Sequence, residues 1–392
     1  MSQQADRKIS PVRRAYEHFA EKQNKELLEG LITAKDLRPG WTLPSLLAIL
    51  LASVIHLGTL VILAGSILLV VNSSGWIISI ILGFTGLGVV WIVRPRLYKW
   101  PTKNILPRHK YPTLYGLVDQ AADALKVKHI SGIRINADIN ASIGFIGWKR
   151  RSMLTLGLPL WSILTDQEKL ALVAHELAHR ANQDGLRGWY VRSAANSVLY
   201  MFYLLAPGYH QRNVSYAIFR GSAMAELFSN WTMYLVSRFP LSVFFVMDLF
   251  FAQTSRRQEY LADWLASTVA GSSATLGMLN RLQMTSVLEN ILRRAQMIVP
   301  TNPDEYQLLN MFRERALSIS DADIKRAAVE GTRHAKRLHM DHPPTAYRIR
   351  LLTDRPTLEP KIVVSTELSQ QIENELAGWK RKIQKQLLTG AS

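Results

Sequence analysis

The chain has 392 residues, with 47 Lys and Arg against 30 Asp and Glu, and no cysteine. Disulfides and thiolate metal sites are therefore excluded, and any metal must be held by histidines and carboxylates. A hydrophobic content of 48% with a net charge of +17 asks for a membrane or a polyanion as neighbour. No basic-aromatic binding motif accompanies the charge, so nucleic acid is not expected as a partner.

Residues 1–42 are polar, with eight Lys/Arg and six Asp/Glu in the first 41 positions. They lack the basic start, short apolar core and cleavage site of a secretory signal, and a cytoplasmic segment is expected. A short amphipathic helix is expected from Tyr16 to Glu29, ending at Gly30. Leu43 to Val71 is then predominantly apolar over 29 positions without a formal charge, longer than the roughly 20 residues that cross a hydrocarbon core. Asn72-Ser73-Ser74-Gly75 marks a turn, and Trp76 to Val93 adds 18 largely apolar positions. Residues 43–93 thus predict a transmembrane hairpin. His56, inside the first span, is expected to hydrogen-bond to a neighbouring helix, with an ion pathway as the alternative. The linker 94–110 carries six Lys/Arg and no acid, while the hairpin turn carries no charge. The positive-inside rule then puts both ends of the hairpin, and everything attached to them, in the cytoplasm.

From Tyr111 the pattern becomes globular. Leu114, Leu117, Val118, Ala121, Ala122 and Leu125 recur at helical spacing. Ile133–Ile135, Ala141–Ile146 and Met153–Leu156 predict short strands, the last two joined by a basic turn at Trp148-Lys149-Arg150-Arg151. The stretch TDQEKLALVAHELAHRAN, Thr165 to Asn182, is the most informative of the chain. Thr165 and Glu168 form a capping box, and the Leu/Ala-rich run behind them is strongly helical. His175 and His179, one turn apart on one face, can meet a single zinc ion. Glu176 sits about 100° round the helix, where its carboxylate can act on water as a general base. This is the H-E-x-x-H pattern of zinc peptidases.

Apolar runs near 190–206 and 231–252 follow. Their length leaves membrane helices, buried helices and an interfacial hairpin all open, with membrane insertion preferred. SRRQEYLADWLA, Ser255 to Ala266, is helical by composition and carries Glu259 and Asp263 four residues apart. Glu259 is the candidate third zinc ligand, leaving the fourth position open, and Asp263 the candidate acceptor for the second N–H of a ligand histidine. Residues 272–340 are largely helical and polar, with a break at Pro300 to Pro303. His342-Pro343-Pro344-Thr345-Ala346-Tyr347-Arg348 sets an imidazole and a guanidinium beside a rigid turn. Thr366 to Leu388 is an amphipathic helix, with acids early and bases late, expected to pack on the preceding domain.

Taken in this order, HELAH, SRRQEYLAD and HPPTAYR resemble the membrane-bound zinc metallopeptidases typified by the HtpX heat-shock protease and the CAAX prenyl endopeptidase. The resemblance covers roughly Lys110 to Leu352. It implies an α-rich α+β fold: a transmembrane hairpin, then a gluzincin-type domain over 111–355 with a small sheet and two further membrane helices. Residues 356–392 are expected to be the segment that holds the C-terminal amphipathic helix. It implies one zinc per chain, polypeptide substrates drawn from membrane or unfolded proteins, and a lipid bilayer as surroundings. His342 becomes the oxyanion donor, and Arg348 orients it or pairs with acids near the metal. Asn140, Ala141, Ser142, Ile143 and Gly144 resemble the family's active-site edge strand, whose free backbone groups bind a peptide as an added strand. The family often has a large aromatic two positions after the Asn, where this chain has Ser142.

Overall fold

A computed structural model describes residues 11–38, 41–73, 76–95, 99–147, 149–181, 185–206, 223–297, 307–319, 326 and 343–389. The chain divides into two compact units, Met1–Pro39, Leu97–Gln183 and Ser255–Ser392 in the first, Gly40–Arg96 and Asp184–Thr254 in the second.

The first unit is mostly helical around one small mixed sheet. Strands β1 (Ile105–Leu106), β2 (Gly132–Asn136), β3 (Ala141–Ile146) and β4 (Arg151–Gly157) lie in the order β1-β2-β4-β3. β2 and β4 are parallel, and the other pairs antiparallel. The three strands expected from sequence are present. β1 is too short to have left a pattern. β3 stands at the edge of the sheet, and among the described residues no strand pairs with its outer side. Gly157 is required where the chain turns from β4 into helix: a Cβ there would collide with the carbonyls of Asp138 and Asn140. Its N–H instead donates to the Asn140 carbonyl at 2.9 Å.

Helices α1 (Pro11–Thr33), α4 (Pro112–Ala124), α5 (Leu158–Ile163) and α6 (Asp166–Ala181) belong to this unit. So do α9 (Ser272–Gln283), α10 (Thr285–Gln296), α11 (Leu308–Leu317), α12 (Thr345–Asp354) and α13 (Thr366–Thr389). The helix α8 (Ala223–Ala270) contributes its C-terminal part, from Ser255 onward. Leu114, Ile133, Leu154, Trp161, Leu172, Ala266, Leu279, Phe312 and Leu376 share one buried cluster, so the last helix of the chain helps build the core around α6.

Polar contacts fix the same arrangement. The carboxylate of Glu375 on α13 accepts from the Thr113 and Leu114 N–H groups at 2.8 and 3.0 Å, capping α4 from 262 residues away. The nearly buried Lys169 of α6 reaches Asp166 at 3.0 Å and Glu373 of α13 at 2.9 Å. Helix α1 runs through Gly30 to Thr33 rather than stopping there. The glycine faces open space, so it costs only helix propensity, about 1 kcal/mol. Leu28 and Leu31 pack with Tyr260, Leu261 and Leu351, and Arg355 donates to the Leu31 and Ala34 carbonyls at 2.7 and 3.0 Å.

The second unit contains α2 (Leu43–Val71), α3 (Ile77–Val93), α7 (Gly185–Leu205) and the N-terminal part of α8. Thr42 and Ser45 form the capping box that starts α2. α2 and α3 meet through small residues: a Cβ on Gly83 would lie 2.9 Å from the Ser66 carbonyl oxygen, and one on Gly86 would strike the Ser66 side chain. Close backbone approach of this kind is typical of helix pairs in membranes. The outer face of α2 is apolar, with Leu50 61% and Leu57 62% exposed, whereas a core helix of equal hydrophobicity would be covered. Among the described residues, two helices are long and apolar enough to cross a membrane, Leu43–Val71 and Trp231–Ala270; Ile77–Val93 is apolar but shorter. α7 does not meet that test. Its serines are buried instead, Ser193 against His56 at 3.1 Å and Ser197 against the carbonyls of Ser193 and Val93. His56 also reaches the Tyr190 carbonyl at 3.2 Å, the helix-to-helix role expected of it.

Candidate metal centre

Helix α6 opens as its sequence requires. The Thr165 N–H donates to the Glu168 carboxylate at 2.9 Å, and the Glu168 N–H to the Thr165 hydroxyl at 3.3 Å. The Glu168 carboxylate lies against Gly277 of α9, where any Cβ would strike it. Two turns on, His175 and His179 leave the same face with their Nε2 atoms 3.3 Å apart. Glu259 enters from α8, its Oε2 3.6 Å from His175 Nε2 and its Oε1 3.5 Å from His179 Nε2. Donors at 2.0–2.1 Å from a tetrahedral zinc should lie roughly 3.3–3.4 Å apart. The three donors are therefore spaced as one such ion needs, and they fit it in chemistry as well as in distance.

One turn beyond Glu259, Asp263 has no exposed surface. Its Oδ1 lies 3.0 Å from His175 Nδ1. A proton on Nδ1 directed at this carboxylate leaves the Nε2 lone pair facing the other two donors. Arg348, buried in the first turn of α12, donates to Asp263 through Nε and Nη2, both at 2.7 Å, and its Nη2 is 3.7 Å from Glu259. Burial opposes the Arg348 cation, but Asp263 first and then Glu259 and Glu176 outweigh it and raise its pKa above the usual arginine value. Glu176 is itself buried on α6.

The fold thus gathers His175, Glu176, His179, Glu259, Asp263 and Arg348 from three helices. A family model for peptidase family M48 matches residues 111–356, more than half of the chain. The chain belongs to peptidase family M48. This is the family of HtpX and of the CAAX prenyl protease-like zinc metallopeptidases. Its members are typically membrane-bound hydrolases of peptide bonds, and the His/His/Glu cluster of this M48 domain can hold a metal ion.

His342 lies outside the described residues; Pro343 and Pro344, next to it, lead into α12. Of the expected substrate-strand residues, Ala141 to Gly144 lie on β3 and Asn140 directly precedes it. Ser142 and Gly144 are exposed, Ile143 is half-buried and Ala141 buried. The Asn140 carbonyl is occupied by the Gly157 N–H, and its side-chain oxygen by the Ala141 N–H at 2.9 Å. Sequence reading missed Lys169 and Glu375, which fasten α13 to α6 and α4. Neither has a motif, because each acts through a partner roughly two hundred or more residues away.

Proposed function

We propose that the protein is a membrane-anchored zinc metalloendopeptidase of the HtpX-like kind, acting on membrane or unfolded polypeptides. The observation that carries this reading is the set of three donors 3.3–3.6 Å apart, two of them on the helix that also buries Glu176. When bound, zinc supplies Lewis acidity toward the scissile carbonyl and the attacking water. His175, His179 and Glu259 hold it. Asp263, kept ionised by Arg348, fixes the His175 tautomer and ring orientation. The Glu176 carboxylate takes the proton of the attacking water and delivers it to the departing amine nitrogen. His342 donates a hydrogen bond to the oxyanion that develops on the former carbonyl oxygen. The outer edge of β3, from Ala141 to Gly144, holds the substrate backbone in extended form.

A buried carboxylate at Glu176 supports a catalytic over a purely structural zinc, which has no need of a general base. That two helices among the described residues are long and apolar enough to span a membrane supports the HtpX-like branch over a CAAX-type, multi-span chamber. The basic linker 94–110 supports a cytoplasmic catalytic unit; a reporter in the turn 72–75 should then behave as external and one at the C-terminus as cytoplasmic. The deciding experiment is Glu176→Gln in detergent-purified protein. Zinc content should stay at about one per chain while cleavage falls by roughly 10²–10⁴. Unchanged cleavage, in a preparation free of other proteases, overturns the enzymatic reading.

A further inference from the structure

The β3–β4 hairpin ends in a tip that the catalytic reading does not use. Gly147 and Arg150 adopt positive φ, 69° and 46°, in the turn that joins β3 to β4, and Lys149 and Arg151 are exposed there. Phe145, 37% exposed, lies beneath the Arg150 and Arg180 guanidiniums at 5.1 and 5.7 Å. Arg151 covers the ring of Trp100 at 4.6 Å, and Trp100 rests on Gly132 at the start of β2. Lys99 and Lys128 are exposed at the same end. The acids on this side, Asp119 and Asp123, are engaged by Arg108 and His129. Among the described residues, Lys99, Lys128, Lys149, Arg150 and Arg151 make no ion pair. Five unpaired cations with aromatic rings between them form a surface that fits a plane of negative charge with an apolar layer behind it.

Sequence position says which plane. Trp100 follows Val93, the last residue of α3, by seven residues, a tether of at most about 25 Å. We propose that this tip is a second membrane contact: the cations of the β3–β4 hairpin and of Lys99 bind anionic lipid headgroups. They thereby hold the C-terminal end of β3 at the bilayer surface. The inference rests on α2 and α3 being membrane spans. Anionic lipid on the cytoplasmic leaflet attracts juxtamembrane Lys and Arg in this way, within a Debye length of the surface.

The absence of native cysteine allows a clean test on the full chain. Lys149→Cys, labelled with an environment-sensitive fluorophore, is placed in nanodiscs of purely zwitterionic or 30% anionic lipid; Gln370→Cys on α13 serves as control. The expected result is a blue-shifted label, protected from an aqueous quencher, at position 149 only and in anionic discs only. Protection should be lost near 1 M salt, where the Debye length falls to about 3 Å, and on adding Lys99→Glu with Arg151→Glu. A label equally quenched in both lipids overturns the inference, and so does equal protection in both. Protection in zwitterionic discs by added single-stranded RNA, matching that by anionic lipid, would replace lipid with nucleic acid as the partner. Failure of the protein to enter discs at all would overturn the anchor reading, a result distinguishable from the others.

Discussion

Asp263→Asn separates what the buried carboxylate does for the metal from what it does for the fold. The side chain is fully enclosed and bonds His175 Nδ1 at 3.0 Å and Arg348 twice at 2.7 Å. Asparagine keeps the size and one acceptor oxygen but removes the charge. On the metal side, weakening the acceptor of a ligand histidine lowers affinity by roughly 10–100-fold, which is about 1.4–2.7 kcal/mol. On the fold side, the Arg348 cation is left buried without its closest counter-charge, a loss of about 3–5 kcal/mol when nothing else compensates. Glu259, 3.7 Å from the same guanidinium, offsets part of this, so the lower end applies. Chelator competition reads the first effect and denaturant unfolding of zinc-free protein in detergent reads the second. Adding Arg348→Met to Asp263→Asn should restore most of the stability, because the stranded cation is gone, but none of the zinc affinity. A variant with wild-type zinc affinity and stability would refute this account of the network. A double variant that regained zinc affinity would show that Arg348, not Asp263, governs the ligand.

Other outcomes follow from the same contacts. Glu375→Ala removes two charge-assisted bonds from the first turn of α4 and should lower stability by about 1–2 kcal/mol, measured by denaturant midpoint, with zinc content unchanged. Burial disfavours ionised Glu373, but Lys169 and Lys380 outweigh it and hold its pKa below the usual glutamate range. Its contribution is therefore complete at neutral pH and disappears as the pH falls below about 4.3. Stability measured from pH 7 to pH 3 should drop along that limb in wild type and less steeply in Glu373→Gln. An equally steep limb in that variant would assign acid sensitivity to other carboxylates.

How much was legible beforehand depended on whether a feature repeats locally. The capping box at Thr165, the four-residue spacing of His175 and His179, and that of Glu259 and Asp263 are each contained within one helix, and the structure has them as the spacing demands. The alternation over Ala141–Ile146 likewise announced β3, and its place at the sheet edge agrees with the expected resemblance. The exact end of α1 was not legible, because an exposed glycine such as Gly30 weakens a helix without stopping it when tertiary contacts beyond it hold. The partner of Arg348 was left open between His342 and an acid; the fold puts Asp263 against it, 85 residues away. The run near 190–206 was ambiguous because buried serines lower hydropathy whether their partners are neighbouring helices or water. The contacts of Ser193 with α2 and of Ser197 with α3 are visible only in the fold.

The link between Lys169 and Glu373 has a consequence in time. The two residues are 204 positions apart, and ribosomes add about 5–20 residues per second. The histidine helix carries Asp166 as a first partner for its buried lysine, but waits about 10–40 s for the second carboxylate, Glu373. The apolar segments between the two positions are synthesised within that interval. During it, the helix that carries His175 and His179 lacks the clamp of α13. A nascent chain is thus kept from completing its own peptidase core until its apolar helices have already emerged.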